Sequence, residues 1–173
     1  VTGLFFGLAI LAALFSLGRR LADLQVNTYS LATRPDLRAA AWIEQNLPAE
    51  AALLVNSTFA YGGSALVGTD GGWWLPLLTG RQTSLPSLPY ASEQGNRVDY
   101  TQWINSLTTL ILTKGISDPS VLRELKNRKL DYIYIGQEQG MVNSPNPLLI
   151  LDQILSSPNF TLVYHQDRVW IFK

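Results

Sequence analysis

The chain has no cysteine, one histidine, one methionine and no net charge in its 173 residues. The missing cysteines exclude disulfides, thiolate nucleophiles and Cys-ligated zinc. The lone imidazole, His165, leaves Ser-His and multi-histidine metal constellations without their parts. No metal or cofactor is therefore expected, and His165, on a terminal strand, reads as an ordinary surface residue. Thirteen Lys and Arg against thirteen Asp and Glu leave no broad basic field to follow a phosphate backbone, which sets nucleic acid aside as a partner.

What is present begins with an uncharged run. VTGLFFGLAILAALFSLG, Val1 to Gly18, carries no charge and meets Arg19 and Arg20 at once. Eighteen residues of helix extend about 27 Å, close to the roughly 30 Å hydrocarbon core of a bilayer. The expectation is a transmembrane helix over residues 1–18, a joint over 19–34 and a soluble α/β domain over 35–173, with the lipid bilayer as a partner. The run lacks the basic leader and small-residue cleavage site of a signal peptide. It starts inside an apolar stretch, as the tail of a longer membrane-embedded polypeptide would. Arg19, Arg20, Arg34 and Arg38 follow it, and by the positive-inside tendency they lean toward a cytoplasmic domain.

Beyond the joint, helices and strands alternate. RPDLRAAAWIEQNLP is bracketed by Pro35, suited to a first helical turn, and Pro48. Ala51 to Val55 is a short apolar run that suits a strand covered on both faces. From Tyr61 to Asn96 little periodicity is visible, and the segment reads as a long glycine- and proline-rich loop. Tyr100, Trp103, Ile104, Leu107, Leu110 and Ile111 share one helical face, with Asp99 as cap and Gly115 as stop. DPSVLRELKNRKL reads as a helix capped by Asp118 and leading into the strand DYIYIG. NPLLILDQILSSP reads as a helix opened by Asn146 and Pro147 and closed by Pro158. FTLVYHQDRVWIFK reads as a hairpin turning at Gln166 and Asp167. The order implies a single three-layer-like α/β domain with a mostly parallel mixed sheet and a C-terminal hairpin, preceded by one transmembrane helix.

The densest chemistry lies in GTDGGWWLPLLTGR, Gly68 to Arg81. Gly71 and Gly72 would let the chain turn sharply, with positive φ as the reason for glycine. Pro76 would stiffen the exit, and Asp70 with Arg81 would tie the ends. Trp73 and Trp74, with Tyr90 nearby in sequence, suit a site half apolar and half wet, either a stacking platform for a sugar or a wedge into lipid headgroups. Adjacent side chains point different ways, so the two indoles should not share one core. Asp70, Gly71, Gly72, Trp73, Trp74, Arg81 and Tyr90 are thus the candidate docking or substrate-contact residues. The glycines lack the spacing of a P-loop or a dinucleotide fingerprint. Asp70, Glu93 and Asp99 would form a hydrolytic pair only if two of them converged in a cleft, and no catalytic residue is assigned.

With the apolar helix, DLRAAAWIEQNLP, ALLVN, GTDGGWWLPLLTGR, LDYIYIG and SPNFTLVYHQDRVWIFK, essentially the whole chain resembles the tail of bacterial polytopic membrane glycosyltransferases that use lipid-linked sugars. These are similar to family 39 and the dolichyl-phosphate-mannose mannosyltransferase-like superfamily of GT-C type. The resemblance implies an extracytoplasmic domain capping a membrane-embedded body of the same polypeptide, against the lean of the arginines. It implies an accessory role toward a lipid-linked sugar or glycan acceptor, with catalysis carried elsewhere. A membrane-anchored binding or sensor module without an enzyme is the alternative.

Overall fold

The computed structural model describes residues 2–23, 30–93, 95 and 97–173. The chain divides into two units, Val1–Ser30 and Leu31–Lys173. The first holds α1 (Thr2–Asp23), a helix of 22 residues that continues through Arg19 and Arg20. Phe6, Ile10, Leu11, Leu14, Phe15 and Leu17 are exposed along it. Among the described residues, no helix is long and apolar enough to cross a membrane; Leu4, Phe5 and Leu8 are among the side chains outside that description. The expected joint, 19–34, falls partly on α1 and partly on residues 24–29, which lie outside the described residues.

The second unit is an α/β domain. Its helices are α2 (Arg34–Asn46), α3 (Leu75–Thr79), α4 (Tyr100–Lys114), α5 (Pro119–Asn127) and α6 (Leu151–Leu155). Its strands are β1 (Ala52–Leu54), β2 (Ser57–Ala60), β3 (Ala65–Gly68), β4 (Gln82–Thr83), β5 (Leu130–Ile135), β6 (Leu162–Gln166) and β7 (Val169–Phe172). Five strands form one sheet in the order β4-β1-β5-β7-β6, while β2 and β3 pair separately. β4 and β5 pair parallel with β1, β7 pairs antiparallel with β5, and β6 pairs antiparallel with β7. The sheet is therefore mixed, with a parallel part, β4-β1-β5, and an antiparallel terminal hairpin that enters through β7 beside β5.

Strand side chains alternate between faces, and that alternation divides the core. Leu53, Tyr132, Tyr134, Val169 and Ile171 pack with Ala39, Ala40 and Ile43 of α2, whereas Ala52, Leu54, Ile133, Ile135 and Phe172 pack with Leu107 and Ile111 of α4 and with Val121 and Leu125 of α5. Helices thus cover both faces, which is why β5 is buried at all but one of its positions. Every residue in the two buried clusters follows Ser30, so the domain carries its own complete core.

Three expectations need correction. The presumed loop 61–96 contains β3, β4, α3 and, among its described residues, three 3₁₀ turns. The helix expected from Asn146 forms only at Leu151–Leu155, because the Leu149 amide donates sideways to Asn56 Oδ1 at 2.9 Å instead of joining a helical ladder. Asp99 stands at the start of α4 without capping it; its carboxylate is held by Arg97. Asp118 does cap α5, accepting from the Ser120 amide at 2.8 Å. The terminal hairpin turns through Asp167 and Arg168, both at positive φ, as a tight hairpin requires.

Candidate functional site

In an open α/β sheet, ligands sit at the carboxyl ends of parallel strands where the strand order reverses. Here that point lies between β1 and β5, since β1 leads to β4 on one side and β5 occupies the other. The residues just past the two strands are Val55 and Asn56, and Gly136 and Gln137. A buried carboxylate of the chain itself fills the position. Asp70 Oδ2 accepts from Asn56 Nδ2 at 2.8 Å and from the Gly136 amide at 3.0 Å, while Oδ1 accepts from the Gly72 amide at 2.9 Å.

A second carboxylate lies beside it. Asp36, in the first turn of α2, accepts from the Tyr134 hydroxyl at 2.7 Å and the Gln137 amide at 3.0 Å on Oδ1. Its Oδ2 accepts from the Thr33 amide at 2.7 Å and the Thr33 hydroxyl at 2.6 Å. Asp36, Asn56 and Asp70 are at most 1% exposed. Burial pushes the Asp70 carboxyl up to about 6, opposed by its three donors and assisted by the charge of Asp36. The Tyr134 hydroxyl is held well above its ordinary range by burial and then by Asp36.

Close backbone approach makes this packing possible. A Cβ on Gly71 would fall 2.6 Å from Asp36 Cγ, and one on Gly136 would fall 2.9 Å from Asp36 Oδ1. Neither glycine is among those at positive φ, so close contact, not turn geometry, demands glycine here. A general acid or base must reach the proton it moves. Asp36 and Asp70 are sealed and saturated with donors, whereas Glu93 and Asp99 are exposed. The hydrolytic convergence is not formed.

Asp70 is also the cap of the 3₁₀ turn Gly71–Trp74, which runs directly into α3. Gly80, at φ 66°, closes α3. This doubly capped unit holds Trp73 partly buried against the core and leaves Trp74 45% and Leu77 77% exposed. Together with Leu31, Pro76 and Leu88 they line an apolar groove of about 390 Å³. The two indoles do part company, one toward the core and one outward.

The other candidates lie elsewhere. Arg81 makes no tie to Asp70: its guanidinium donates to the carbonyls of Thr79, Glu44 and Leu47 at 2.9, 3.2 and 3.0 Å, fastening the exit of α3 to the end of α2. Tyr90 is buried, accepting from the Leu66 amide at 2.7 Å and donating to Asn105 Oδ1 at 2.6 Å. His165 is exposed and stacks on Trp170 across the hairpin. Sequence reasoning missed Asp36, Asn56, Tyr134 and Gly136. Thr33 with an acidic residue three positions on, the spacing of a capping box, is the one local signal that could have drawn attention to Asp36. Comparison of the chain with protein-family models, with curated proteins and with solved structures finds no match.

Proposed function

We propose that the chain is the membrane-tethered accessory region of an integral membrane glycosyltransferase drawing on lipid-linked sugar. In this reading α1 is the membrane helix, and Leu31–Lys173 is an extracytoplasmic domain that docks against the membrane side of the enzyme rather than performing the chemistry. The observation that carries the reading is the apolar groove of the Trp73–Leu77 segment, held rigid from beneath by Asp70. Support for α1 comes from the uncharged run Val1–Gly18, whose residues 2–18 lie in the 22-residue helix Thr2–Asp23. Docking is favoured over glycan contact because a sugar needs convergent polar groups, and the residues lining the groove offer only the Ser87 hydroxyl and the indole N–H groups of Trp73 and Trp74 as polar side-chain groups.

The test is the topology of the full-length parent, with a compartment-dependent reporter fused after Lys173 and the upstream spans counted, alongside glycosyl transfer by Trp73→Ala and Trp74→Ala enzymes. Many spans, an external tail and impaired transfer are expected. An internal tail, or a single span with transfer unaffected, would sink the reading and leave an anchored binding module.

A further inference from the structure

We infer that the cleft at the β4 edge of the sheet binds a small carboxylic acid with a short aliphatic tail, its carboxylate held by Arg128. The inference is independent of the docking reading, since the cleft lies wholly within the Leu31–Lys173 domain and shares only Pro86 with the Trp73–Leu77 groove. Gln82, Thr83 and Ser84 line one side, and Tyr100 and Trp103 of α4 line another. Among the described residues, Arg128 is the sole charged group on its walls.

Arg128 stands just past α5, and its side chain is only 5% exposed. An arginine that braces a helix end gives its fork to backbone carbonyls, as Arg81 does. Arg128 gives none of its side-chain donors to a carbonyl among the described residues. Of the five N–H donors on a guanidinium, Nε donates to Glu124 Oε1 at 2.7 Å and Nη2 donates to Ser106 Oγ at 3.0 Å. Nη1 has no hydrogen-bond partner among the described residues, and it is not sealed in as the Arg81 Nε is. Donors withdrawn this far from bulk water call for an acceptor. Cζ lies 4.3 Å from the centroid of the Trp103 ring, which fixes the plane of the fork and suits it to a planar acceptor with two oxygens. Ser84 adds a donor, because its Oγ accepts from the Val55 amide at 3.1 Å and keeps its own proton.

Size narrows the ligand further. The cleft has a volume of about 170 Å³, the liquid share of about five or six waters, so it holds a molecule of about six heavy atoms. Pro86, Ile104 and Leu130 complete an apolar wall beside the indole, which suits two or three carbons behind the carboxylate. A nucleotide or a sugar phosphate exceeds that space.

The test is a nuclear magnetic resonance titration of the nitrogen-15-labelled domain Leu31–Lys173, whose buried clusters are complete without the preceding unit. Sodium butyrate is the probe, with butyramide as its uncharged isostere and inorganic phosphate as a tetrahedral anion, all at constant ionic strength. Butyrate should shift the Trp103 indole and Arg128 Nε resonances saturably at millimolar concentration or below. Butyramide and phosphate should bind about tenfold or more weakly, and Arg128→Gln should abolish saturation. Should that variant fail to fold, Glu124→Gln decides: it removes a carboxylate that competes for the guanidinium, so butyrate should bind about threefold or more tightly. Unchanged or weaker binding in Glu124→Gln overturns the inference. So do shifts that never saturate, or butyramide or phosphate binding as tightly as butyrate. Tighter binding of N-acetylglutamate N-methylamide than of butyrate would assign the cleft to an acidic peptide side chain and overturn the free acid as its ligand.

Discussion

The Tyr134 hydroxyl donates to Asp36 Oδ1 at 2.7 Å and joins β5 to the first turn of α2 across 98 positions of sequence. Both groups are out of water, so each satisfies a partner that would otherwise be stranded. Tyr134→Phe should cost about 1–2 kcal/mol, and Asp36→Ala, which strands the Gln137 amide and the Thr33 donors as well, about 3 kcal/mol or more. Urea unfolding of Leu31–Lys173 measures both. The double variant should be less destabilised than the sum; strict additivity would mean the bond contributes nothing of its own.

The pH dependence of stability should carry the signature of Asp70. Its carboxyl rises from the ordinary 3.8 to about 6 on folding, so the folded state binds the proton more tightly. The stabilisation this gives is fully present below 3.8 and is lost as pH rises through about 6. Between about pH 7.5 and 5 this group alone should raise unfolding free energy by about 1 kcal/mol. Asp70→Asn should be less stable at both values, since its amide NH₂ can meet the donors of Gly72, Gly136 or Asn56, and it should lose that part of the slope. The unfolding midpoint of the two proteins at the two pH values decides it, and an unchanged slope in the variant would assign the dependence elsewhere.

At Gly136 a Cβ would fall 2.9 Å from Asp36 Oδ1, 3.0 Å from the Gly71 amide nitrogen and 3.1 Å from Asp70 Cβ. Backbone and short, pinned side chains cannot retreat, so Gly136→Ala should destabilise the domain by about 2–3 kcal/mol. Gly62→Ala is an instructive contrast, with open space around the added methyl and only a positive φ of 69° to oppose it. It should cost about 1 kcal/mol. Calorimetric midpoints that rank the two the other way would show the clamp to be softer than its contacts imply.

How much of this could be read beforehand depended on whether the cause was local. The face of α4 from Tyr100 to Ile111 declares itself by period and the strand DYIYIG by its β-branched and aromatic residues, and both form where expected, the strand one residue earlier at Leu130–Ile135. β4 does not, because Gln82–Thr83 is two residues long at a sheet edge and is held by bonds to distant chain, the Ser84 amide to Leu53 O and the Val55 amide to Ser84 Oγ. Asn146–Ile150 looks helical by composition but is drawn out of helix by Asn56. Trp73 and Trp74 were legible as unusual, and their divergence followed from adjacency alone. The Asp36–Asp70 clamp was hidden because its partners lie up to 101 positions apart.

Arg81 bears on whether the exposed segment is fixed to the domain or merely lies on it. Its guanidinium reaches carbonyls at the end of α2, where a cation also meets the negative end of the helix dipole. Its Nε is buried without a hydrogen-bond partner among the described residues, which offsets part of the gain. Arg81→Ala should therefore cost about 2 kcal/mol, less than three unopposed charged bonds would suggest. Arg81→Lys should recover less than half of that, because a single ammonium cannot spread donors across Thr79, Glu44 and Leu47 as a planar fork does. If lysine restored the wild-type urea midpoint, charge at the helix end would be the whole effect. If it does not, the geometry of the fork is what holds α3, and with it the exposed rim of Trp74 and Leu77, against α2.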